Sequence, residues 1–189
     1  MLTYSELKKG TVFIVEGEPY EVLESQFVRM QQRKPVMQTK IRNLMSGKVE
    51  SRNFHQNETF KEGVIERRDV KFLYTHRGEY WFAEPENPKE RFLIKEELLG
   101  EVKSYLKSNE RVTLRIFEDR IIGAGVPIKM EFAVKETPPG FKGDTAQGGS
   151  KIAKLENGLE VQVPLFINER DTVVVNTQTG QYVSRGGKE

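Results

Sequence analysis

The 189-residue sequence contains no cysteine. This absence excludes a disulfide framework, a thiolate metal site and a cysteine nucleophile. Apolar runs are also short, since none approaches the roughly 18 apolar residues of a membrane-spanning helix. The first ten residues, MLTYSELKKG, carry no hydrophobic targeting segment. We therefore expect a cytoplasmic protein with no membrane partner.

Catalytic patterns are scarce as well. The two histidines, His55 and His76, have no second histidine or cysteine nearby in sequence, and we expect both to be exposed loop residues rather than metal ligands. The glycines at 123–125 and 148–149 lack the strand, helix and lysine that frame a phosphate-binding loop. No serine lies in a nucleophile-elbow pattern. We predict no catalytic residue, no metal and no cofactor, which favours a binding protein over an enzyme.

Charge is present in both signs but is unevenly distributed. The formal net charge is +2. Residues 29–54 hold seven cations and one anion, a net charge of +6, whereas residues 79–110 hold five cations and eight anions, a net charge of −3. A chain of this kind can offer one cationic region to phosphate while the rest of its surface stays acidic. Ordinary scatter of surface charge is the alternative.

Alternating apolar residues and frequent turn signals predict an all-β chain of three small units. The first 60 residues read as short strands of a strongly bent barrel. Its expected inner face consists of Val12, Phe13, Ile14, Val22, Leu23, Phe27, Val28, Ile41 and Leu44.

The second unit reads as strands, one helix and further strands, an order typical of a five-stranded Greek-key barrel of the OB type. The segment 76–79, HRGE, predicts a hairpin turn. The apolar residues of the segment 95–107 recur at helical spacing and predict the main helix despite Gly100. They are Leu98, Leu99, Val102 and Leu106.

A third unit begins near residue 128 and repeats the strand-rich pattern. Its first strand stops at Pro138-Pro139-Gly140, and a polar, glycine-rich loop follows. We expect domain boundaries at 1–63, 64–127 and 128–189.

Three segments offer chemistry suited to RNA. The interruption between two alternating stretches, Gln31, Gln32, Arg33 and Lys34, supplies amide and cationic donors. The loop containing Gly143, Asp144 and Thr145 supplies backbone amides, and Tyr182 with Arg185 could stack on a base and contact phosphate. Each segment also has a purely structural interpretation. The first could be a solvated turn, the second could be a flexible connection, and Tyr182 could be a core residue.

The third unit also carries a recognisable signature. KIAKLENGLEVQVPLFI, residues 151–167, with GDTA before it and GQYVSR after it, closely resembles the C-terminal signature of bacterial translation elongation factor P. EGEPYEVLESQFV, KIRNLMSGKVE and FLYTHRGEYWFAE extend the resemblance over the whole chain.

The resemblance implies a fold and a function. The fold is an N-terminal SH3-like (KOW-like) barrel followed by two OB barrels, arranged in an L similar to a tRNA. The implied factor is a monomer that binds the 70S ribosome between the P and E sites and relieves stalling at consecutive prolines by positioning the P-site peptidyl-tRNA. Gln31 to Lys34 would approach the tRNA acceptor end. Gly143, Asp144, Thr145, Tyr182 and Arg185 would lie near ribosomal RNA of the small subunit and the E-site codon of mRNA.

The sequence departs from the family pattern at two positions. Arg170 stands where the signature usually ends in glycine, and Gln32 stands where many members carry a modified lysine or arginine. Glutamine has no amine or guanidinium to extend, so we expect an unmodified tip; a shift of one or two residues would instead make Arg33 or Lys34 the modified residue.

Two other readings are weighed against this one. The archaeal and eukaryotic hypusine-bearing relative usually ends after two domains, which the third unit argues against. A general OB-fold binder of single strands would display aromatic residues on exposed strand faces, whereas most aromatic residues here are expected in the core.

Overall fold

The computed structural model describes residues 1–29, 34–140 and 149–187, and over these residues it is built mainly of β-strands in three sheets. The first sheet has the order β1-β6-β2-β3-β4-β5. Its strands are β1 (Leu2–Thr3), β2 (Val12–Val15), β3 (Glu18–Val28), β4 (Val36–Asn43), β5 (Val49–His55) and β6 (Thr59–Glu62). A 3₁₀ helix, Tyr4–Glu6, follows β1.

The other two sheets have five strands each. The second sheet, ordered β11-β10-β7-β8-β9, contains β7 (Glu66–His76), β8 (Glu79–Ala83), β9 (Arg91–Ile94), β10 (Arg111–Phe117) and β11 (Arg120–Gly125). The third sheet, ordered β14-β13-β12-β15-β16, contains β12 (Lys129–Glu136), β13 (Ser150–Leu155), β14 (Glu160–Pro164), β15 (Thr172–Asn176) and β16 (Gln181–Arg185). The all-β prediction is confirmed.

The chain divides into two compact units. One comprises Met1–Arg68 with Leu114–Gly123, and the other comprises Asp69–Thr113 with Ala124–Glu189. Among the described residues, no helix is long and apolar enough to cross a bilayer.

The core of the first unit differs in part from the predicted inner face. Phe13 and Val15 are buried in the barrel, but Val12 and Ile14 pack against a separate cluster formed by Leu44, Phe117 and Ile122. The reason is the two-residue period of a strand, which sends neighbouring side chains to opposite faces.

Three more members of the predicted inner face lie outside the core. Phe27 is 51% exposed, and Leu23 and Val28 are only partly buried. Leu23 lies at the irregularity in the β3–β4 pairing, which disturbs the alternation of faces there. Phe27 opposes the buried Met37 and its ring centroid lies 6.3 Å from that of Tyr4, but about half of its surface stays uncovered near the end of the strand.

The predicted hairpin at 76–79 is confirmed, whereas the predicted long helix is not. Arg77 and Gly78 adopt positive φ values of 51° and 80°, the conformation of a tight turn between paired strands. The α-helix α1 spans only Glu96–Leu99. Gly100 then takes φ 52°, and a 3₁₀ helix, Gly100–Tyr105, replaces the remaining turns. Glycine breaks the helical pattern here because its backbone readily adopts φ > 0.

The third sheet closes around its own core. The core consists of ten buried residues. Three of them, Phe132, Leu155 and Ile167, have no exposed surface at all. β12 ends at Glu136, before Pro138-Pro139, as the sequence predicts. Tyr105 and Tyr182 pack against the margin of this core.

Candidate nucleic-acid interface

A long two-stranded ribbon, formed by β3 and β4, carries the first candidate segment. Cross-strand pairs run from Tyr20 with Asn43 to Val28 with Val36, interrupted by one irregularity near Leu23. Because opposed residues share a face, Gln26 and Gln38 lie on the outer surface together. The ribbon therefore presents a pair of polar amides to solvent on this face.

Two buried polar residues brace this ribbon. Asn43 donates from Nδ2 to Glu18 Oε2 at 2.5 Å, and its Oδ1 accepts the backbone N–H groups of Met45 and Ser46, both at 2.9 Å. Thr39 Oγ1 donates to the carbonyl of Arg52 on β5 at 2.8 Å. Buried polar groups with satisfied partners make an element rigid and uniquely placed, so the base of the hairpin is firmly held.

The hairpin tip begins after the pair Val28–Val36, and the connection comprises residues 29–35. Arg29 and Lys34 are exposed on either side of it. Gln31, Gln32 and Arg33 lie outside the described residues. By count along the chain, residue 32 is the middle one of the connection. Of the predicted tip donors, the structure therefore places Lys34 alone, with its ammonium group available to a phosphate.

The cations around this hairpin fall into two groups. Lys40 lies 3.6 Å from Glu24 and Lys48 lies 3.6 Å from Glu50, both in exposed ion pairs, and Arg52 stacks over the Phe54 ring at 5.5 Å. The second group, Arg29, Lys34 and Arg42, forms no ion pair with any described residue. The uncompensated positive charge includes both described flanks of the tip, where it would favour an anionic ligand.

Tyr182 and Arg185 lie on one strand, β16, but they do different things. Tyr182 opposes Val175 and Arg185 opposes Val173, with an irregularity between the two positions. Tyr182 is partly buried against the core. Arg185 donates to Asp171 Oδ1 at 2.6 Å while keeping 55% of its side chain exposed. The structure thus places both residues on one strand. Among the side-chain interactions of the described residues, none joins Tyr182 to Arg185.

Asp171 holds Arg185 through a charged pair. The backbone N–H of Asn168 and the Arg185 guanidinium lower the pKa of the Asp171 carboxyl, and together they outweigh the opposing effect of its burial. Asp171 therefore stays ionised and fixes the guanidinium at the edge of the sheet.

The loop containing Gly143, Asp144 and Thr145 lies outside the described residues, but both of its flanks are placed. A side-chain carbon at Gly140 would collide with the carbonyl oxygen of Leu165, and one at Gly149 would lie 2.9 Å from Leu165 Cδ1. Glycine is required at position 140 because the clash there is with backbone, whereas at position 149 a shift of the Leu165 side chain could make room for a Cβ. The sequence shows the glycines, but it contains no signal for their partner.

A cleft of about 930 Å³ lies beside these flanks in the third sheet. Its lining includes Gly149, Gln162, Phe166 and Tyr182, and Phe166 is 60% exposed. Sequence reasoning missed Gln162, which lies on β14, and Phe166, which follows that strand, because a single sequence does not show which residues line a cleft once the strands are packed.

The described residues contain no group of three or more histidine, aspartate or glutamate side chains that could hold a metal ion. His55 and His76 are both exposed, as predicted, but they are the last residues of β5 and β7 rather than loop residues.

Comparison with known families matches three consecutive models to the chain. The elongation factor P KOW-like domain matches residues 3–60, the elongation factor P OB domain matches residues 65–124, and the elongation factor P C-terminal model matches residues 130–185. Elongation factor P of Thermodesulfovibrio yellowstonii is 38% identical over 185 residues, which cover 98% of each chain. The chain belongs to the elongation factor P family.

Other members of the elongation factor P family agree over the same length. The Dictyoglomus thermophilum protein is 40% identical and the Carboxydothermus hydrogenoformans protein 36%, each over 98% of this chain and 100% of the relative. Among solved structures, eukaryotic translation initiation factor 5A from Methanococcus jannaschii superposes with a TM-score of 0.49 at 11% identity, covering 67% of this chain and 90% of that one; this likeness is too weak to add to the family match.

The family match confirms the resemblance read from the signature at 151–167 and the KOW-like and OB fold classes. It also makes the chain a translation elongation factor.

Proposed function

We propose that this elongation factor P binds the ribosome between the P and E sites and stimulates peptide-bond formation where consecutive prolines stall translation. The observation that carries the proposal is the long β3–β4 ribbon, braced at its base and flanked at its tip by Arg29 and Lys34, two exposed cations that form no ion pair with the described residues. Such an element suits a protein that must reach an RNA end at a distance from its own core.

The proposed mechanism is positioning. Proline is a sterically poor nucleophile, and a nascent chain of consecutive prolines resists the reactive geometry. Holding the P-site tRNA in place lowers the entropic part of the barrier. The ribosome supplies the catalytic centre, so the factor performs no bond chemistry itself and acts as a monomer in the cytoplasm.

The contacts are assigned to two regions. At the tip, Gln31, Gln32, Arg33 and Lys34 face the acceptor end of the P-site peptidyl-tRNA. In the third unit, Gly143, Asp144, Thr145, Tyr182 and Arg185 are assigned to ribosomal RNA of the small subunit and the E-site codon. The exposed, pre-oriented guanidinium of Arg185 supports the second assignment, since a fixed donor loses less entropy on contacting phosphate.

Three domains are proposed at 1–63, 64–127 and 128–189. The bounds of the three matched family models, 3–60, 65–124 and 130–185, support this division.

The tip is proposed to act without modification, with Gln32 hydrogen-bonding the tRNA end and Arg33 or Lys34 contacting phosphate. Intact-mass measurement on protein from its native host tests this point. The unmodified mass is expected, and added mass on Arg33 or Lys34 would contradict it.

In vitro translation of a reporter containing three consecutive prolines tests the function. The unaltered protein should raise full-length product, whereas Gln32→Ala and Lys34→Ala should relieve stalling less. Lys61→Ala serves as a matched control because Lys61 is exposed on β6, away from the tip connection. Full stalling in the presence of unaltered protein would overturn the proposal.

A further inference from the structure

A row of large side chains crosses three strands of the second sheet; its two outer members are exposed, and its central member, Trp81, is partly buried. Tyr74 on β7 opposes Trp81 on β8, and Trp81 opposes Leu93 on β9. The Tyr74 and Trp81 rings are stacked, with centroids 6.4 Å apart and planes inclined by 26°. Tyr74 is 42% exposed and Leu93 is 41% exposed. Since opposed residues share a face, the three side chains form one continuous patch, here called the aromatic row.

The aromatic row is not part of the core. The opposite face of the same strands pairs Phe72 with Phe82 and Phe82 with Phe92, and Phe82 has no exposed surface. Tyr74 and Leu93 therefore lie on the other face of these strands from the buried Phe82, and Ala83 on their own face is buried. Exposed aromatic and aliphatic surface in contiguous patches commonly marks a binding site.

Two cations flank the row on one side. Lys71 opposes Ala83, and Ala83 opposes Arg91. The small Ala83 therefore separates two exposed cations, and neither forms an ion pair with a described residue. On the other side of the row the opposed pair is His76 and Glu79. The face is consequently cationic at one end and acidic at the other.

We propose that this face binds an unpaired RNA nucleotide, whose base stacks on the aromatic row while its phosphate lies between Lys71 and Arg91. Stacked rings suit a flat ligand, every base offers a flat π-face, and a pair of uncompensated cations suits its backbone. The outer faces of OB strands are known positions for oligonucleotides. RNA rather than DNA is chosen because the proposed function places the protein among RNA; the site is otherwise independent of that function.

Trp81 is the only tryptophan of the chain, so its fluorescence reports directly on this face. Titration of the full chain with a short, unstructured oligouridylate at low salt should give saturable quenching, which weakens as salt is added. For single strands, each lost phosphate contact should lower the slope of log affinity against log salt by about 0.7.

Variants separate stacking from charge. Tyr74→Leu should weaken binding about fivefold or more, the effect typical of losing one stacked aromatic, and Tyr74→Phe should retain it. Lys71→Gln with Arg91→Gln should reduce both affinity and salt dependence. Lys61→Gln with Lys129→Gln makes the same charge change at exposed positions on other sheets and should leave binding unchanged.

Three results would overturn the inference: no quenching at low salt, equal quenching by duplex RNA, or quenching by an oligoglutamate peptide in place of RNA, which would identify an acidic protein partner. The measurement uses free RNA and no ribosome. A negative result in this binding measurement therefore does not contradict the proposed function, and a negative result in the proline-stalling assay does not contradict the proposed RNA site.

Discussion

At the scale of single residues, Arg170, which stands where the family resemblance leads us to expect glycine, adopts a left-handed backbone conformation. Its φ is 70°, and its backbone N–H donates to the carbonyl of Val134 at 2.9 Å. A residue with a side chain is strained in this left-handed region, whereas glycine is not. The glycine that the resemblance leads us to expect at this position would fit this backbone without strain, and Arg170 adopts the same conformation at a cost.

We predict that Arg170→Gly stabilises the protein by about 0.5–1 kcal/mol, since relief of left-handed strain outweighs the extra freedom of glycine in the unfolded chain. Urea unfolding followed by circular dichroism measures the change. Arg170→Ala is the control because it removes the guanidinium and keeps the strain. A glycine variant no more stable than the alanine variant would contradict the explanation.

The Asp171–Arg185 pair gives a second residue-scale prediction, on pH. The N–H of Asn168 and the guanidinium of Arg185 hold the pKa of Asp171 below its ordinary value despite burial. A carboxyl with a lowered folded-state pKa stabilises the fold above its unfolded pKa of about 3.9, and that contribution is lost as pH falls through the folded value.

Asp171→Asn should therefore be less stable than the unaltered chain at neutral pH, and the gap should narrow as the pH falls below about 4. Unfolding free energies of both proteins across the acid range measure this. Glu160→Gln, which removes a carboxylate from an exposed strand residue, is the matched control. A gap between the two proteins that stays constant with pH would refute the linkage.

At the scale of elements, alternation and turn residues were sufficient to predict most strands. Arg77-Gly78 predicted its hairpin, and Pro138-Pro139 ended β12. The prediction of one long helix was wrong because the apolar residues at 98–106 lie partly in a short α-helix and partly in a 3₁₀ helix. The spacing of apolar residues does not distinguish these two helix types. The predicted burial of Phe27 was wrong because alternation shows on which face of a strand a residue lies, but not how fully other residues cover that face.

The candidate site was predictable only where chemistry shows in the residue type. Lys34, Tyr182 and Arg185 could be named from sequence. Gln162, Phe166 and the close approach of Gly140 and Gly149 to Leu165 depend on which strands meet in space, and a single sequence contains no record of that.

The β3–β4 hairpin gives the element-scale prediction. If its tip must reach a fixed RNA end, its length is critical. Adding one Thr-Val dipeptide after Val28 and one Val-Thr dipeptide before Val36 keeps the two-residue alternation and extends the ribbon by roughly 6–7 Å. The protein should keep its stability and lose most of its relief of proline stalling, as measured with the three-proline reporter.

The matched control is the same insertion in the β7–β8 hairpin, after His76 and before Glu79, which lengthens a different ribbon. This control should retain activity. Equal loss from both insertions would mean that the length of the first hairpin is not what matters.

At the scale of the whole molecule, the second compact unit joins residues of two family-model domains. Tyr105 packs against the core of the third sheet, its ring 6.4 Å from that of Phe132. Asn157 Nδ2 donates to the carbonyl of Ser104 at 2.9 Å, and Lys107 lies 3.0 Å from Glu156. Burial raises the pKa of Glu156, but hydrogen bonds from Lys107 and the N–H of Ala133 outweigh it and leave the pKa lowered.

These contacts predict that the segment 69–113 and the third sheet lose structure together. Hydrogen exchange under increasing urea should show protection in β8 and β12 disappearing at the same denaturant concentration in the unaltered chain. Tyr105→Ala with Asn157→Ala removes the aromatic packing and the hydrogen bond, so β12 should lose protection at a lower concentration than β8. Tyr4→Ala, which removes an aromatic from the other unit, should leave β8 and β12 in step. Separate transitions already present in the unaltered chain would show that the interface at Tyr105 does not couple them, and each sheet would then have to be stabilised by its own core alone.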